Sequence, residues 1–297
     1  MKVHKGRALV AVAAAVLLGL TACSTSSGGG GTSTDTSGTK GTGNLADCGT
    51  SPNTCNSGKT QAGGTMAYVL EKTIPGWNQV YSPSNVFEVA EVEDGILPGV
   101  FLGGPDLKPF LNTNMMVSAE QTKTSPQTLV YKIKPNAVWN DGSPINFDDF
   151  KYLADVSDGT TCAKCGASSS SGYNQIQSMT GSDNGKTVTV VMKKPFADWG
   201  IMFGALLPAH IAAQHGGTSG AGLNTSFQWF DKNVPNWSGG PMIITNYDKD
   251  VSITEKPNPR WYGTTKSSLG TLVFRIITDQ SQVATALQNN EVDAIYP

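Results

Sequence analysis

Residues 131–150 read YKIKPNAVWNDGSPINFDDF, and their order of chain-bending and chain-extending residues settles the local architecture. Leu129 to Ile133 alternates apolar with polar side chains, as a half-buried strand does, and Pro135 halts it. Asn140, Asp141 and Gly142 then supply residues that tolerate left-handed backbone, so Asp141 is expected to make a turn. Asn146 is placed to cap a helix whose first turn holds Asp148 and Asp149, where negative charge meets the positive helix end. Phe150, Leu153 and Ala154 would share its buried face. Adjacent aspartates on a helix point about 100° apart, so Asp148 and Asp149 are poorly arranged as an acid/base pair on one substrate atom. The stretch is strand, turn and helix.

Working outward, the same two periodicities recur. Thr65 to Leu70 has the β-branched and aromatic content of a strand, broken by the turn Thr73 to Asn78. Asp183-Asn184-Gly185-Lys186 turns into the strand TVTVVM. Met242 to Tyr247 and Val251 to Glu255 form a hairpin around Asp248-Lys249-Asp250, and Leu272 to Ile277 is a further strand. Thr278 or Asp279 caps a short helix carrying Val283, Ala286 and Leu287, which Asn289-Asn290 ends before a strand start at Val292 to Ile295. Strands joined by both hairpins and helices predict a mixed α/β domain.

The N-terminus reads differently. Lys2, Lys5 and Arg7 precede the apolar run Ala8 to Leu20, which is shorter than the roughly 20 residues a membrane span needs, so residues 1–22 read as an export signal. Leu20-Thr21-Ala22-Cys23 resembles the bacterial lipobox, which makes Cys23 the expected lipidation site, against the alternative of an ordinary signal with a chance cysteine. Residues 23–62 are rich in Gly, Ser and Thr and poor in apolar side chains, the composition of a flexible tether. Folding is expected from about Gly63.

Four cysteines remain, in two close pairs: Cys48 with Cys55, and Cys162 with Cys165. In an exported chain these are disulfide candidates, each closing a local loop. Cys162-Ala-Lys-Cys165 is also a C-x-x-C, so redox and zinc roles stand as alternatives, although its loop setting between Asp158-Gly159 and a serine run is not that of a redox helix. Net charge is −2, and loss of the leader's three basic residues leaves 18 basic against 23 acidic side chains, net −5, with no basic block to suit nucleic acid.

Enzyme signatures are fragmentary. Ser37-Gly38-Thr39-Lys40 has S-x-x-K spacing and Ser182-Asp183-Asn184 spells S-D-N, but the first lies in the tether and no Lys-Thr-Gly follows. There is no nucleophile elbow and no phosphate loop, and beyond the leader only His210 and His215 remain, without a zinc-binding pattern. No catalytic residue, metal site or cofactor is expected. The six tryptophans, Trp77, Trp139, Trp199, Trp229, Trp237 and Trp261, are read first as packing residues.

Four segments nevertheless fall into a familiar order. YKIKPNAVWNDGSPINFDDF resembles the strand, W-x-D-G-x-P turn and acidic helix start of family 5 extracellular solute-binding proteins. LLPAHI (206–211) is similar to that family's L-P-x-H-I step, SGGPMIITNYDKDVSITEKPNPRWYG (238–263) to its G-T-G-P-Y hairpin with N-P-x-Y-W, and ALQNNEVDAIYP (286–297) to its A-L-x-x-G-E-x-D helix end. Trp139, Asp141, Gly142, Pro144, Gly240 and Pro241 match as structural motif residues. Ser238, Gly239, Met242 and Asn290 depart from the pattern.

The resemblance implies a periplasmic-binding-protein-like fold of type II, cluster C-like: a mixed-sheet lobe I from 63–82 and 199–297, an α+β subdomain inserted at 83–198, and a second lobe that this sequence does not contain, as in a truncated reading frame. It implies a lipid-anchored protein on the outer face of the bacterial membrane that closes around a peptide or other small solute and hands it to the permease of an ABC importer, without catalysis. The turn after the first strand would line the cleft, giving Thr73, Ile74, Trp77 and Asn78 as ligand-contact candidates. An envelope regulator or sensor of the same fold, or more remotely an exported hydrolase, are the alternative readings.

Overall fold

The computed structural model describes residues 61–104 and 108–296. The expected leader, the lipidation candidate Cys23, the tether up to residue 60, and the disulfide candidates Cys48 and Cys55 lie outside the described residues.

Strand β1 (Thr65–Leu70) is followed by helix α1 (Phe87–Glu93), a short hairpin of β2 (Phe101–Gly103) and β3 (Pro109–Leu111), and the long strands β4 (Met116–Thr124) and β5 (Gln127–Ile133). Helix α2 (Phe147–Ser157) leads to β6 (Ile176–Ser182) and β7 (Thr187–Met192). Helices α3 (Ala209–Gln214) and α4 (Ala221–Lys232) precede β8 (Met242–Asp248), β9 (Ser252–Pro257), β10 (Thr271–Ile276) and helix α5 (Gln280–Gln288). The first sheet has the order β1-β10-β9-β8, with β1 parallel to β10 and the other pairs antiparallel. A second, wholly antiparallel sheet has the order β4-β5-β7-β6.

Parallel neighbours need a crossover connection. Here the crossover from β1 to β10 contains the whole second sheet, so the first sheet is assembled from residues distant in sequence. β1 is apolar on both faces because both are covered: Val69 packs with Val283, Ala286 and Val292 on the α5 side, while Leu70 enters the main core. The chain returns to the free edge of β1 after α5, where Tyr68 and Ala294 form a parallel bridge, so the predicted strand start at Val292 to Ile295 is a single bridge. Asp279 caps α5 through Ser281 N–H, and Asn290 takes the left-handed backbone, φ 56°, that usually calls for glycine.

In the second sheet the predicted alternation holds, with Val188, Val190 and Met192 of β7 buried. Asp183 and Asn184 carry φ of 52° and 55° in the β6–β7 turn, placing the S-D-N triplet in an exposed hairpin. Helix α2 has the predicted Asn146 cap as a full capping box, and Phe150, Leu153 and Ala154 are all buried. Tyr131, Phe150 and Phe203 pack with ring centroids 4.9–5.9 Å apart. One hydrophobic cluster runs from Leu70, Ile253 and Phe274 of the first sheet to Leu129 and Val188 of the second. Segment 87–100 sits against the first sheet, since the Tyr68 hydroxyl donates to Glu91 Oε1 at 2.7 Å and Met242 N–H to the Gly95 carbonyl at 2.9 Å. Of the two expected disulfides, the described residues contain the second: Cys162 and Cys165 stand with their sulfurs at bonding distance, 1.98 Å, in the loop after α2. The expected partnership of Cys48 with Cys55 falls in the residues left undescribed.

Candidate functional site

In open sheets with parallel strands, ligands gather outside the carboxyl ends of those strands. In this chain that place is the turn leaving β1 at Glu71 and the start of α5 after β10. The turn is pinned from below. Gly76 passes so close to α4 that a Cβ there would stand 2.1 Å from Asp231 Oδ1 and 2.4 Å from Ser84 Oγ, so a larger residue would have to push those two side chains and their mutual hydrogen bond aside. Trp77 N–H donates to the Asp231 carbonyl at 2.9 Å, and its ring meets Tyr247 edge to face at 4.8 Å. Asn78 is fully buried, donating to the Phe227 carbonyl at 3.2 Å and accepting from Val80 N–H at 3.1 Å.

These contacts divide the four ligand-contact candidates. Thr73 is exposed, while Ile74 is half-buried and packs against the main core. Trp77 and Asn78 are buried, and the Asn78 amide spends both its polar ends inside the lobe, holding the turn in shape. Two groups that sequence reasoning missed lie beneath the same turn. Glu93 accepts from Gln79 N–H at 3.1 Å and is 1% exposed, and burial pushes its carboxyl up to about 8. Asp231 accepts from the Ser84 hydroxyl at 2.5 Å. Acidic residues in helical segments give no sequence signal for burial. Beside the turn opens a recess of about 300 Å³ between β1 and α1, bordered by Lys72, Phe87, Glu88 and Tyr296.

The matched motif residues lie elsewhere, in one junction. Asp149 is 2% exposed and accepts from three donors: Asn146 N–H at 2.9 Å, the Trp139 indole at 3.3 Å, and Ala209 N–H at 2.8 Å. Burial raises its carboxyl to about 6 against those hydrogen bonds. Asp141 accepts from Ser143 N–H and pairs with His210 Nε2, both at 2.8 Å, so the W-x-D-G-x-P turn and the L-P-x-H-I step are joined twice. Gly142 has φ of 95°, and Val138 bridges Pro144 to close the turn. Asn140 exchanges hydrogen bonds with Ser238, at 2.7 and 2.8 Å, tying the turn to the β8 entry. A Cβ on Gly240 would stand 2.2 Å from the Gly95 carbonyl oxygen, and Asn258 braces this segment through the Gly240 and Pro241 carbonyls, each at 2.8 Å. Four segments scattered over more than a hundred residues meet here, holding the two sheets in register. Among the described residues no three His, Cys, Asp or Glu side chains form a metal-holding group, and no helix is long and apolar enough to cross a membrane.

Comparison with known proteins places this geometry. The profile of bacterial extracellular solute-binding proteins, family 5 middle region, matches residues 113–297. The chain is 32% identical over 238 residues to the oligopeptide-binding protein OppA of Mycobacterium bovis, an alignment covering 79% of this chain and 38% of that protein. It is 28% identical over 229 residues to a probable monoacyl phosphatidylinositol tetramannoside-binding protein, LpqW, of Mycobacterium tuberculosis, covering 73% of this chain and 33% of that one. Among solved structures, the periplasmic EDTA-binding protein EppA superposes with a TM-score of 0.77 at 38% identity, covering 81% of this chain and 44% of EppA. The oligopeptide-binding protein AppA of Bacillus subtilis, at 18% identity and a TM-score of 0.64, shares the fold, covering 79% of this chain and 44% of AppA. The chain thus spans about two fifths of the length of the curated relatives it matches, the extent of one lobe. With two sheets joined at the motif junction and a family profile matched from Thr113 onward, the chain belongs to the family 5 bacterial extracellular solute-binding proteins.

Proposed function

We propose that this chain forms one lobe of an extracytoplasmic substrate-binding lipoprotein that collects peptides for an ABC importer, anchored to the membrane through Cys23 and delivering its ligand to a permease. The observation that carries this reading is the 32% identity to an oligopeptide-binding protein across 79% of the chain. The turn after β1, with Thr73 exposed, Ile74 half-buried against the core and Trp77 and Asn78 as its buried support, is the ligand-facing surface of the lobe. Residues 63–82 and 199–297 supply the ligand-facing body and 83–198 the inserted subdomain. A peptide bound along strand edges through its backbone would be tolerated with many sequences, and a hinge closure would present the loaded form to the permease. No bond is made or broken.

A second reading is favoured by the higher identity, 38%, to an EDTA-binding protein, which would make the ligand a polycarboxylate chelate. The carboxyl end of β1 argues against it. Glu71, Glu88 and Glu91 gather there around Lys72, a field that repels polyanions. Thermal melts of the complete protein encoded by this gene, run with tri- to pentapeptide mixtures and with ferric EDTA, decide between the two. Peptides are expected to raise Tm. A shift with the chelate and none with any peptide overturns the proposal.

A further inference from the structure

The turn after β1 runs on into a segment that is fastened by the loop after α2. The Val80 carbonyl accepts from Ser168 N–H at 2.7 Å, Ser82 N–H donates to the Gly166 carbonyl at 2.9 Å, and Tyr81 bridges Ala167 between them as an antiparallel pair. Residues 166–168 follow directly on Cys165, whose bond to Cys162 closes that loop. The Cys165 carbonyl accepts from the Gln228 side chain of α4 at 3.3 Å, and the adjacent Phe227 carbonyl accepts from the Asn78 side chain at 3.2 Å. Tyr81 also meets the Phe227 ring edge to face at 6.0 Å. These contacts close a ring that passes from the turn to α4, through the disulfide loop, and back to the turn. Cys165 is fully buried in the main core, whereas Cys162, at 7% exposure, borders a recess of about 310 Å³. Gly159, Ser168 and Ser169 share that border, and all three are small and exposed, so the Cys162 side of the bond is the side open to a small thiol.

The disulfide is the link in this ring that a reductant opens and an oxidant closes again. While the bond is made, the loop has few conformations to lose, and the contacts of residues 166–168 form at little entropic cost. Once it is open, those contacts must order the loop unaided, and two of the three residues that make them, Gly166 and Ser168, are exposed.

We propose that the Cys162–Cys165 pair is a redox-responsive clamp on the ligand-facing turn: oxidised, it holds residues 79–82 in place for binding, and reduced by a dithiol, it frees them and weakens solute binding. One sulfur of the dithiol, as thiolate, attacks Cys162 and forms a mixed disulfide, while Cys165 leaves and takes up the proton that sulfur gave up. The second sulfur then displaces Cys162, which is protonated in turn. The protein loses one S–S bond and gains two S–H bonds, the dithiol does the reverse, and two electrons and two protons pass between them. The clamp rests on the reading of this turn as ligand-facing and adds to it a control by redox state.

Amide hydrogen exchange and peptide binding are measured on the complete protein before and after dithiothreitol, with alkylation and mass measurement of the peptide spanning Cys162 and Cys165 to count opened thiols. On reduction the Gln79, Tyr81, Ser82 and Ser168 amides are expected to exchange about tenfold faster while β7 amides stay within about twofold, and peptide Kd should rise roughly fivefold as the binding-competent fraction falls. Glutathione disulfide should reverse all of these changes. The response should persist in the Cys48→Ser, Cys55→Ser double variant, which lacks the other pair. A bond that dithiothreitol leaves closed in the folded protein, turn amides unchanged after it opens, equal acceleration in β7, a response lost in the double variant, or equal measurable peptide affinity in both states overturns the clamp. Turn amides that respond as expected while no peptide binds in either state support redox control of the turn and overturn the peptide reading.

Discussion

Glu255 offers a quantitative test of how the first sheet is held together. It lies in β9 opposite Ile244 of β8 and Leu272 of β10, and it points into the lobe at 1% exposure. Its Oε1 has no hydrogen-bond partner among the described residues, and burial alone pushes the carboxyl from 4.5 up to about 8. Below pH 4.5 the group is protonated in both folded and unfolded chains, and its full contribution to stability is present. As pH rises toward 8 the unfolded chain releases a proton that the folded chain keeps, so stability falls, and it levels off above the folded value. At about 1.4 kcal/mol per pH unit, the whole interval is worth on the order of 5 kcal/mol. Glu255→Gln keeps the shape and cannot titrate. Urea unfolding followed by tryptophan fluorescence at pH 5, 6, 7 and 8 would give the stability difference, variant minus wild type, in which Glu93 and every other shared group cancels. That difference is expected to rise by roughly 4 kcal/mol from pH 5 to pH 8. The size of the pH-independent part of that difference says nothing about the charge, because a buried amide also lacks partners; only its slope with pH does. A difference flat to within about 1 kcal/mol across the range, or one that falls, refutes the claim that a neutral carboxylic acid is buried at this position of β9.

Further predictions concern the junction and the loop after α2. Asp149→Ala strips three buried donors of their acceptor and is expected to cost about 3–5 kcal/mol in urea unfolding at pH 7, whereas the exposed neighbour Asp148→Ala should cost less than about 1. Gly240→Ala drives a Cβ against the Gly95 carbonyl and should destabilise by roughly 3 kcal/mol or more; a melting temperature equal to wild type would show that the two segments do not meet. The exported protein should carry a Cys162–Cys165 bond, visible as two missing hydrogens by mass on the peptide spanning it, and losing this four-residue loop should lower stability by roughly 2 kcal/mol.

Which parts of the lobe can be read in advance depends on where the polar residues fall. β5, β7 and β10 announce themselves because inward positions are apolar, and α2 because Asn146 and the two aspartates mark its start. β4 and β6 carry mostly exposed polar side chains at the two edges of the second sheet, so they show no alternation. Helix α1 hides for the opposite reason: its buried face includes Glu88 and Glu93, which break the apolar pattern a helix needs to be recognised. α4 was legible in principle, with Leu223, Phe227 and Phe230 buried at helical spacing. The turn proposed to face the ligand follows from the family resemblance, yet the commitment of Asn78 to Phe227 depends on a partner about 150 residues away that no local pattern reveals.

The three aspartates of NAVWNDGSPINFDDF show how a short motif acquires meaning only in three dimensions. Asp141 accepts from Ser143 as its turn requires, and with its other oxygen pairs with His210. Asp148 stays in solvent, while Asp149, one residue on, faces inward and gathers donors from the turn, the helix cap and α3. Asn140 reaches on to Ser238, and Asn258 closes on the Gly240 carbonyl. Asp149 accepts from two backbone N–H groups and the Trp139 indole, and Asn258 donates to the buried Gly240 carbonyl, so loss of either leaves a buried polar group unpaired. That coupling ties together three of the matched segments, 131–150, 206–211 and 238–263, while the fourth, 286–297, packs beside β1 instead. Side chains that meet at the junction should be energetically coupled, so a double-mutant cycle between Trp139→Phe and Asp149→Ala should show an interaction of about 1 kcal/mol, against none between Trp139 and the exposed Asp250 in the β8–β9 turn.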